Sequence, residues 1–408
     1  MPSIVSGIAI WWLFALGIIL PYGWLPPLLI WGVIAIPNLP AMGRWLTATQ
    51  SWPAVLILSV SLSWLVVGAW HGESGQALGL VWPLGMAVVA FFGLLVHPVN
   101  GAWLWSGVAT GGFLTGAFSL IQSWQGVSRA EGAGTLDPIL YGNLSLTAGS
   151  FCLAGLGWAW NRSRPWAWSL VLILGASGGL LASALSGTRG GWVTLPLLIL
   201  VLYKAYSRYL SRTTLVVSMA GVFLLASMVI MHPQSGVKAR LAEGAHHLVA
   251  YLEGERGVQV AARLMIWEGS AEVAMEHPLL GWGQQGSALE RAHRQPRLSR
   301  YAHAHNDLLQ AWISFGVPGV IGVLGLYLAP LRAFMANRAG KSRRHAQDTC
   351  GLLLAVGFMG YGLTYCFFAY TEVLAIYCSW MVALWTCWCW VPGHGDDGGQ
   401  DALSTEER

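Results

Sequence analysis

The chain has 408 residues, 55% of them hydrophobic and only 10% charged, with a net charge of +4 and a mean hydropathy of +0.56. Soluble domains carry roughly 25% charged residues, so a soluble fold of this size is excluded. The composition predicts an all-α polytopic membrane protein with no nucleic-acid partner, and the 24 tryptophans suit the membrane–water interface.

In chain order, twelve apolar stretches are long enough to span a bilayer: 4–20, 22–37, 52–70, 77–96, 102–122, 139–160, 166–185, 190–206, 213–231, 308–330, 349–369 and 372–391. No basic segment precedes the first, so it reads as a span and not as a cleaved signal. The first two are separated only by Pro21-Tyr22 and the last two only by Tyr370-Thr371, so either pair could form one re-entrant unit. Basic residues set the orientation. With the N-terminus cytoplasmic, the short cytoplasmic loops hold Arg44, Arg162, Arg164, Lys204, Arg208, Arg212, Arg332, Arg338, Lys341, Arg343 and Arg344, while the short loops opposite hold only Arg129 and Arg189. Both ends are then cytoplasmic. The expected organisation is spans one to nine in 1–231, a polar non-cytoplasmic loop of 75 residues at 232–306, spans ten to twelve in 307–392, and a disordered tail at 393–408.

The loop carries two amphipathic segments, 237–252 and 258–276. In the second, Val260, Leu264, Trp267 and Ala271 share a face. His277-Pro278 ends it and the turn Gly281-Trp282-Gly283 follows. The cysteines Cys152, Cys350, Cys366, Cys378, Cys387 and Cys389 lie in or beside apolar spans and read as small apolar residues, without a disulfide framework.

The polar residues that stand out lie on the non-cytoplasmic side. Arg189 follows the turn Ser186-Gly187-Thr188, and Gly190 and Gly191 are expected to leave its guanidinium open to a ligand; the plainer reading is an arginine snorkelling to the interface. Arg263 lies in the second loop helix, where a solvated charge is the plain alternative. Arg291, Arg294, Arg297 and Arg300 recur every third residue and suit anionic groups, lipid head groups included. Arg129 is a weaker candidate. His303 and His305 precede the tenth span, where an imidazole can take a proton from a hydroxyl, and Asp307 is placed to orient one of them. His246-His247 could join them in a metal site, but no Cys, HExxH or DxD pattern accompanies them, so no metal or cofactor is expected.

Taken together, SGTRGGW at 186–192, Arg263 four residues before Trp267, HPLLGWG at 277–283, and HAHNDLLQ with its downstream FGVPG resemble the bacterial O-antigen ligase and polymerase superfamily. The motifs cover roughly 120–330. The resemblance implies a GT-C-like, metal-independent glycosyltransferase of the Gram-negative inner membrane, acting at its periplasmic face. It implies an undecaprenyl-diphosphate-linked O-antigen as donor and a sugar hydroxyl of lipid A–core as acceptor. It assigns the essential histidine to His305, with His303 second, and the essential arginines to Arg189 and Arg263; Arg291 and Arg294 have no clear counterpart. Ligase is favoured over protein O-oligosaccharyltransferase, which usually carries a larger soluble C-terminal part, and over polymerase, which often has a second arginine-rich loop. A lipid or solute transporter would want charges near the bilayer midplane, and the spans hold almost none.

Overall fold

The computed structural model describes residues 2–38, 51–97, 99–132, 136–207, 259–287, 303–338 and 345–386, and no strand occurs among them. Twelve α-helices are described: α1 (Pro2–Leu16), α2 (Leu25–Ala35), α3 (Trp52–Trp70), α4 (Ser74–Val96), α5 (Gly101–Trp124), α6 (Pro138–Ala159), α7 (Pro165–Ser186), α8 (Arg189–Tyr206), α9 (Gln259–Glu276), α10 (Asp307–Arg338), α11 (His345–Gly362) and α12 (Thr371–Thr386). Of these, α3 to α7 and α10 are long and apolar enough to cross a membrane, and α1, α2 and α12 are shorter apolar helices. The protein is a multi-pass, all-helical membrane protein.

Local sequence explains the element starts. Proline occupies the first turn of α2, α3, α6 and α7, where its missing N–H costs no helical bond. Asn100 caps α5 and Asp137 caps α6 through their side-chain oxygens. The central packing is α5 and α6 against α7. Gly112 and Gly116 of α5 meet the backbone of Gly175 and Gly178 of α7 so closely that a Cβ would not fit. Small residues four apart are what brings apolar helices into direct backbone contact when lipid gives no hydrophobic drive.

Contacts sort the helix ends into two faces. At one, Ser6 Oγ donates to His97 O at 3.2 Å, His345 Nε2 lies 2.7 Å from Ala205 O, and Arg162 covers Trp158. At the other, the α3–α4 turn, the α5–α6 connection, the α7–α8 turn, α9, the start of α10 and the α11–α12 joint touch one another.

Several boundaries differ from the sequence reading. The span expected at 349–369 is helical only to Gly362; residues 363–370 leave the helix and fold inward as a non-helical joint. Asp307 holds that joint by accepting the Phe368 amide at 2.9 Å. The stretch 308–330 is likewise not one helix: α10 breaks at Gly316, where φ is 64° and ψ −147°. The 213–231 span, the 237–252 segment and the 393–408 tail lie outside the described residues.

Candidate active site

The motif HPLLGWG is a clasp between the loop and α10. Trp282 N donates to Ile313 O at 2.7 Å, Gly283 N to Ser314 O at 3.1 Å, and Val317 N returns to Pro278 O at 3.0 Å. Gly281 and Gly316 both have positive φ, and a Cβ on either would run into the other segment's backbone. The break in α10 thus exposes backbone groups that the loop satisfies, and glycine is required on both sides. A second fastening comes from the α3–α4 turn. The Glu73 carboxylate accepts the amides of Gln284 at 2.5 Å, Gln285 at 3.2 Å and Gly286 at 3.4 Å, and His71 Nε2 lies 3.0 Å from Leu280 O. No motif had pointed to His71 or Glu73.

Helix α9 lies against α10, with Val273 and Ala274 packed among Ala304, Ile313 and Cys366. Its buried face is Ile266, Gly269, Ser270, Val273 and Ala274, not the expected Leu264–Trp267–Ala271 stripe, of which Leu264 is exposed. This face mixes Ile266 and Val273 with small residues, so the helix is rotated from the stripe that the apolar spacing suggested. Trp267 remains half-buried and points its Nε1 at His305 O, 3.4 Å away.

That contact is one of several that fix the histidine turn. Ala304 N donates to Gln310 Oε1 at 2.9 Å, and Asn306 N lies 3.2 Å from Cys366 Sγ. Cys366 is therefore a partner of the turn as well as an apolar filler. Between them His305 adopts φ 52°, a left-handed conformation that L residues other than glycine seldom occupy and that clusters at functional sites. The two rings are 4.4 Å apart, and His303 Nδ1 faces the His305 amide at 3.4 Å, which leaves the proton of a neutral His303 ring on Nε2.

Two tyrosines from the joint complete the cluster. The Tyr365 ring stands edge-on to His303 at 4.5 Å and lies 5.3 Å from His305, with Tyr370 5.9 Å from His303. Tyr365 donates to Asp137 Oδ2 at 2.7 Å, and its hydroxyl lies 3.0 Å from that of Tyr370. Burial, first of all, pushes both phenols above their ordinary value, so they stay neutral donors. The tyrosines were missed from sequence; their signal was a pair of polar aromatics flanking a joint too short to be a plain turn. Asp307 does not orient a histidine. Its oxygens take Tyr327 Oη at 2.6 Å and the Phe368 amide.

Arg189 begins α8 and Arg263 lies near the start of α9. Although 74 positions apart in sequence, they are brought within reach of each other's charge. Arg263 keeps exposed surface, yet the protein crowding it and then the Arg189 charge hold its guanidinium below the ordinary arginine value. Gly190 and Gly191 do not serve to open the site: their missing Cβ atoms make room for Thr364 Oγ1 and Asn143 Oδ1. Arg129 comes closer to the centre than expected, donating from Nε to Ser186 O at 2.8 Å beside the Arg189 turn. Arg291, Arg294, Arg297, Arg300 and His246-His247 lie outside the described residues. Among the described residues, no group of three His, Cys, Asp or Glu is placed to hold a metal ion.

Residues 172–324 match the family model described as O-antigen ligase. The chain is also 28% identical over 166 residues to an uncharacterized protein of Haemophilus influenzae, a match that takes in 39% of this chain and spans only 41% of the relative's length. The family match runs from α7 into α10 and so contains Arg189, Arg263, His303 and His305, while Glu73, Asp137, Tyr365 and Tyr370 lie outside it. Over this region, residues 172–324, the chain is similar to the O-antigen ligase family.

Proposed function

We propose that the protein is an O-antigen ligase, transferring a glycan from undecaprenyl diphosphate to a sugar hydroxyl of lipid A–core at the periplasmic face of a Gram-negative inner membrane. The observation that carries this reading is the meeting, at one mouth of the bundle, of an arginine pair with a histidine turn held by three other elements, α9, α10 and the α11–α12 joint. The two arginines lie within reach of each other's charge. A diphosphate suits them, because each guanidinium offers a planar fork to phosphate oxygens. One arginine about 4 Å from a phosphate gains roughly 4 kcal/mol at an effective dielectric near 20.

His305 takes the proton of the acceptor hydroxyl as its oxygen attacks the anomeric carbon. The bond from that carbon to the diphosphate oxygen breaks, the configuration inverts, and the diphosphate leaves with the charge held by Arg189 and Arg263. Arg129, and Arg291 and Arg294 of the loop, are secondary contributors to substrate binding. The organisation into a nine-span N-terminal part, a periplasmic loop and a three-span C-terminal part goes with this reading.

The test is gel analysis of lipopolysaccharide from a deletion strain. A ligase deletion leaves core without long chains while lipid-linked polymer accumulates. Core capped by one repeat unit would indicate a polymerase instead, and unchanged lipopolysaccharide would end the reading.

A further inference from the structure

We propose that the end of α9 and the turn after it are seated in the acyl-chain layer of the bilayer, at the arginine–histidine face, with Met275 and Leu279 as the inserted side chains. The partner is bulk lipid, and the proposal is independent of the reaction the protein carries out. Leu279 is 70% exposed and Met275 60%. They stand four positions apart at the end of a helix, the spacing that puts two side chains on one side. Side chains of this size left open to water forfeit the gain of burial, and an exposed apolar patch marks a surface that meets something.

Two neighbours set the depth of this turn. The first is α10. Beyond its break at Gly316 it exposes Val317, Ile321, Leu324, Leu328 and Met335, a spacing that makes one stripe, on a helix long and apolar enough to cross a membrane. That stripe faces lipid. Val317 and Met335 are eighteen positions apart, about 27 Å at 1.5 Å per residue, and tilt only shortens the reach. The hydrocarbon core is about 30 Å thick, so it extends past Val317. Beside Val317 stands the clasp, since its amide meets Leu279 O at 3.1 Å. The second neighbour is α3. Its last residue, Trp70, is 74% exposed, in the place where tryptophan marks the membrane–water boundary. The next residue, His71, has Nε2 3.0 Å from Leu280 O. The lipid-facing surface of α10 thus runs on from Val317 to Leu279, at the level of an interfacial tryptophan. Farther back, α9 changes character. Glu268 and Glu272 are exposed seven and three positions before Met275, on its side of the helix, and carboxylates keep that part in water. Glu276 and His277 are exposed beside the inserted pair and fall at the head-group boundary. The insertion is therefore shallow, within the roughly 5–10 Å reached by interfacial helices. Because α9 also carries Arg263, and Trp267 against His305 O, a lipid foothold at its end fixes the height at which both are held.

The experiment uses the full chain in nanodiscs of phosphatidylcholine and phosphatidylglycerol, with no polyprenyl lipid present. Leu279→Cys, Met275→Cys and Glu268→Cys each receive a nitroxide label, and wild type taken through the same labelling gives the background from the six native cysteines. All three positions are exposed, so the exchanges disturb little packing. Electron paramagnetic resonance then measures collisions of the label with oxygen, which concentrates among acyl chains, and with a nickel chelate, which stays in water. The expected result is loss of chelate collisions at Leu279→Cys and Met275→Cys with oxygen collisions kept, and full chelate collisions at Glu268→Cys. A label at Leu279→Cys that meets the chelate as freely as at Glu268→Cys puts the turn in water and overturns the proposal. Shielding of that label from both agents also overturns it, since protein and not lipid then covers the turn, as in pairing of two copies. Where Leu279→Cys fails to fold, the same readings at Met275→Cys decide.

Discussion

Tyr365 reaches across 228 positions of sequence to give its phenolic proton to Asp137, at 2.7 Å. Asp137 spends its other oxygen on capping α6, accepting Ile139 N at 2.7 Å and Leu140 N at 2.9 Å. One carboxylate thus fixes both a helix start and the ring that backs the histidines. Tyr365→Phe is expected to keep the fold and lower transfer by about tenfold, a value in line with losing one hydrogen bond to a charged group. Asp137→Ala loses the cap as well, about 1 kcal/mol more, and should melt lower than Tyr365→Phe. Asp137→Asn, which can still cap, should fall between them in thermal unfolding.

The same phenols give an alkaline signature. Their folded pKa values lie above the unfolded value of about 10. The unfolded chain therefore releases these protons first as pH rises. Their contribution to stability is full below about pH 10 and is lost as pH climbs toward the folded values. Tyrosinate absorbance should show a fraction of the phenols that ionises only on unfolding, and Tyr365→Phe should shrink that fraction. An equal amplitude in wild type and variant would count against the burial of Tyr365.

Replacing Arg189 or Arg263 by Ala should abolish transfer while leaving insertion and melting intact, because neither side chain is part of a packed core. Lys should rescue poorly, since it lacks the planar fork. Arg263→Ala also removes a like charge near Arg189, so this variant should melt no lower than wild type while activity is lost. Full activity in both Ala variants at normal expression would sink the assignment.

His305→Ala should lose about 10²–10⁴-fold, the usual contribution of a positioned base, with His303→Ala milder in kcat. EDTA should leave the purified enzyme unaffected, and the product should have inverted anomeric configuration. Metal dependence or retention would require a different centre.

Gly281→Ala and Gly316→Ala should each destabilise by about 1–3 kcal/mol or more, from positive φ and collision with the opposing backbone. Protease sensitivity of the 277–287 segment should rise before global melting changes.

The spans were legible because bilayer thickness imposes a length and composition that any window of sequence can register. Arg189, Arg263 and the histidines stood out because a charge or imidazole at the edge of an apolar run has few cheap explanations. The residues that seat them did not. Tyr365 and Tyr370 sit in a segment apolar enough to pass for helix, and distant partners such as Asp307, Asp137 and Asn306 hold it out of one. Glu73 reads as a solvated turn acid until the loop arrives to place three amides against it. The face of α9 was misjudged because its rotation is set by packing against Ala304, Ile313 and Cys366, which the spacing within the helix does not register. In each case the deciding partner lies more than thirty positions away.

The inward fold of 363–370 also bears on biosynthesis. In chain order the arginines and histidines reach the membrane before α11 and α12. Until α11 and α12 are inserted, the imidazoles lack the rings behind them and Asp307 lacks the amide it binds. A chain that stops before this point would carry the arginines and histidines unseated. Insertion of α11 and α12 is then the event that completes the cluster, and a stop codon placed after Gly362 should give a product that is inserted but inert.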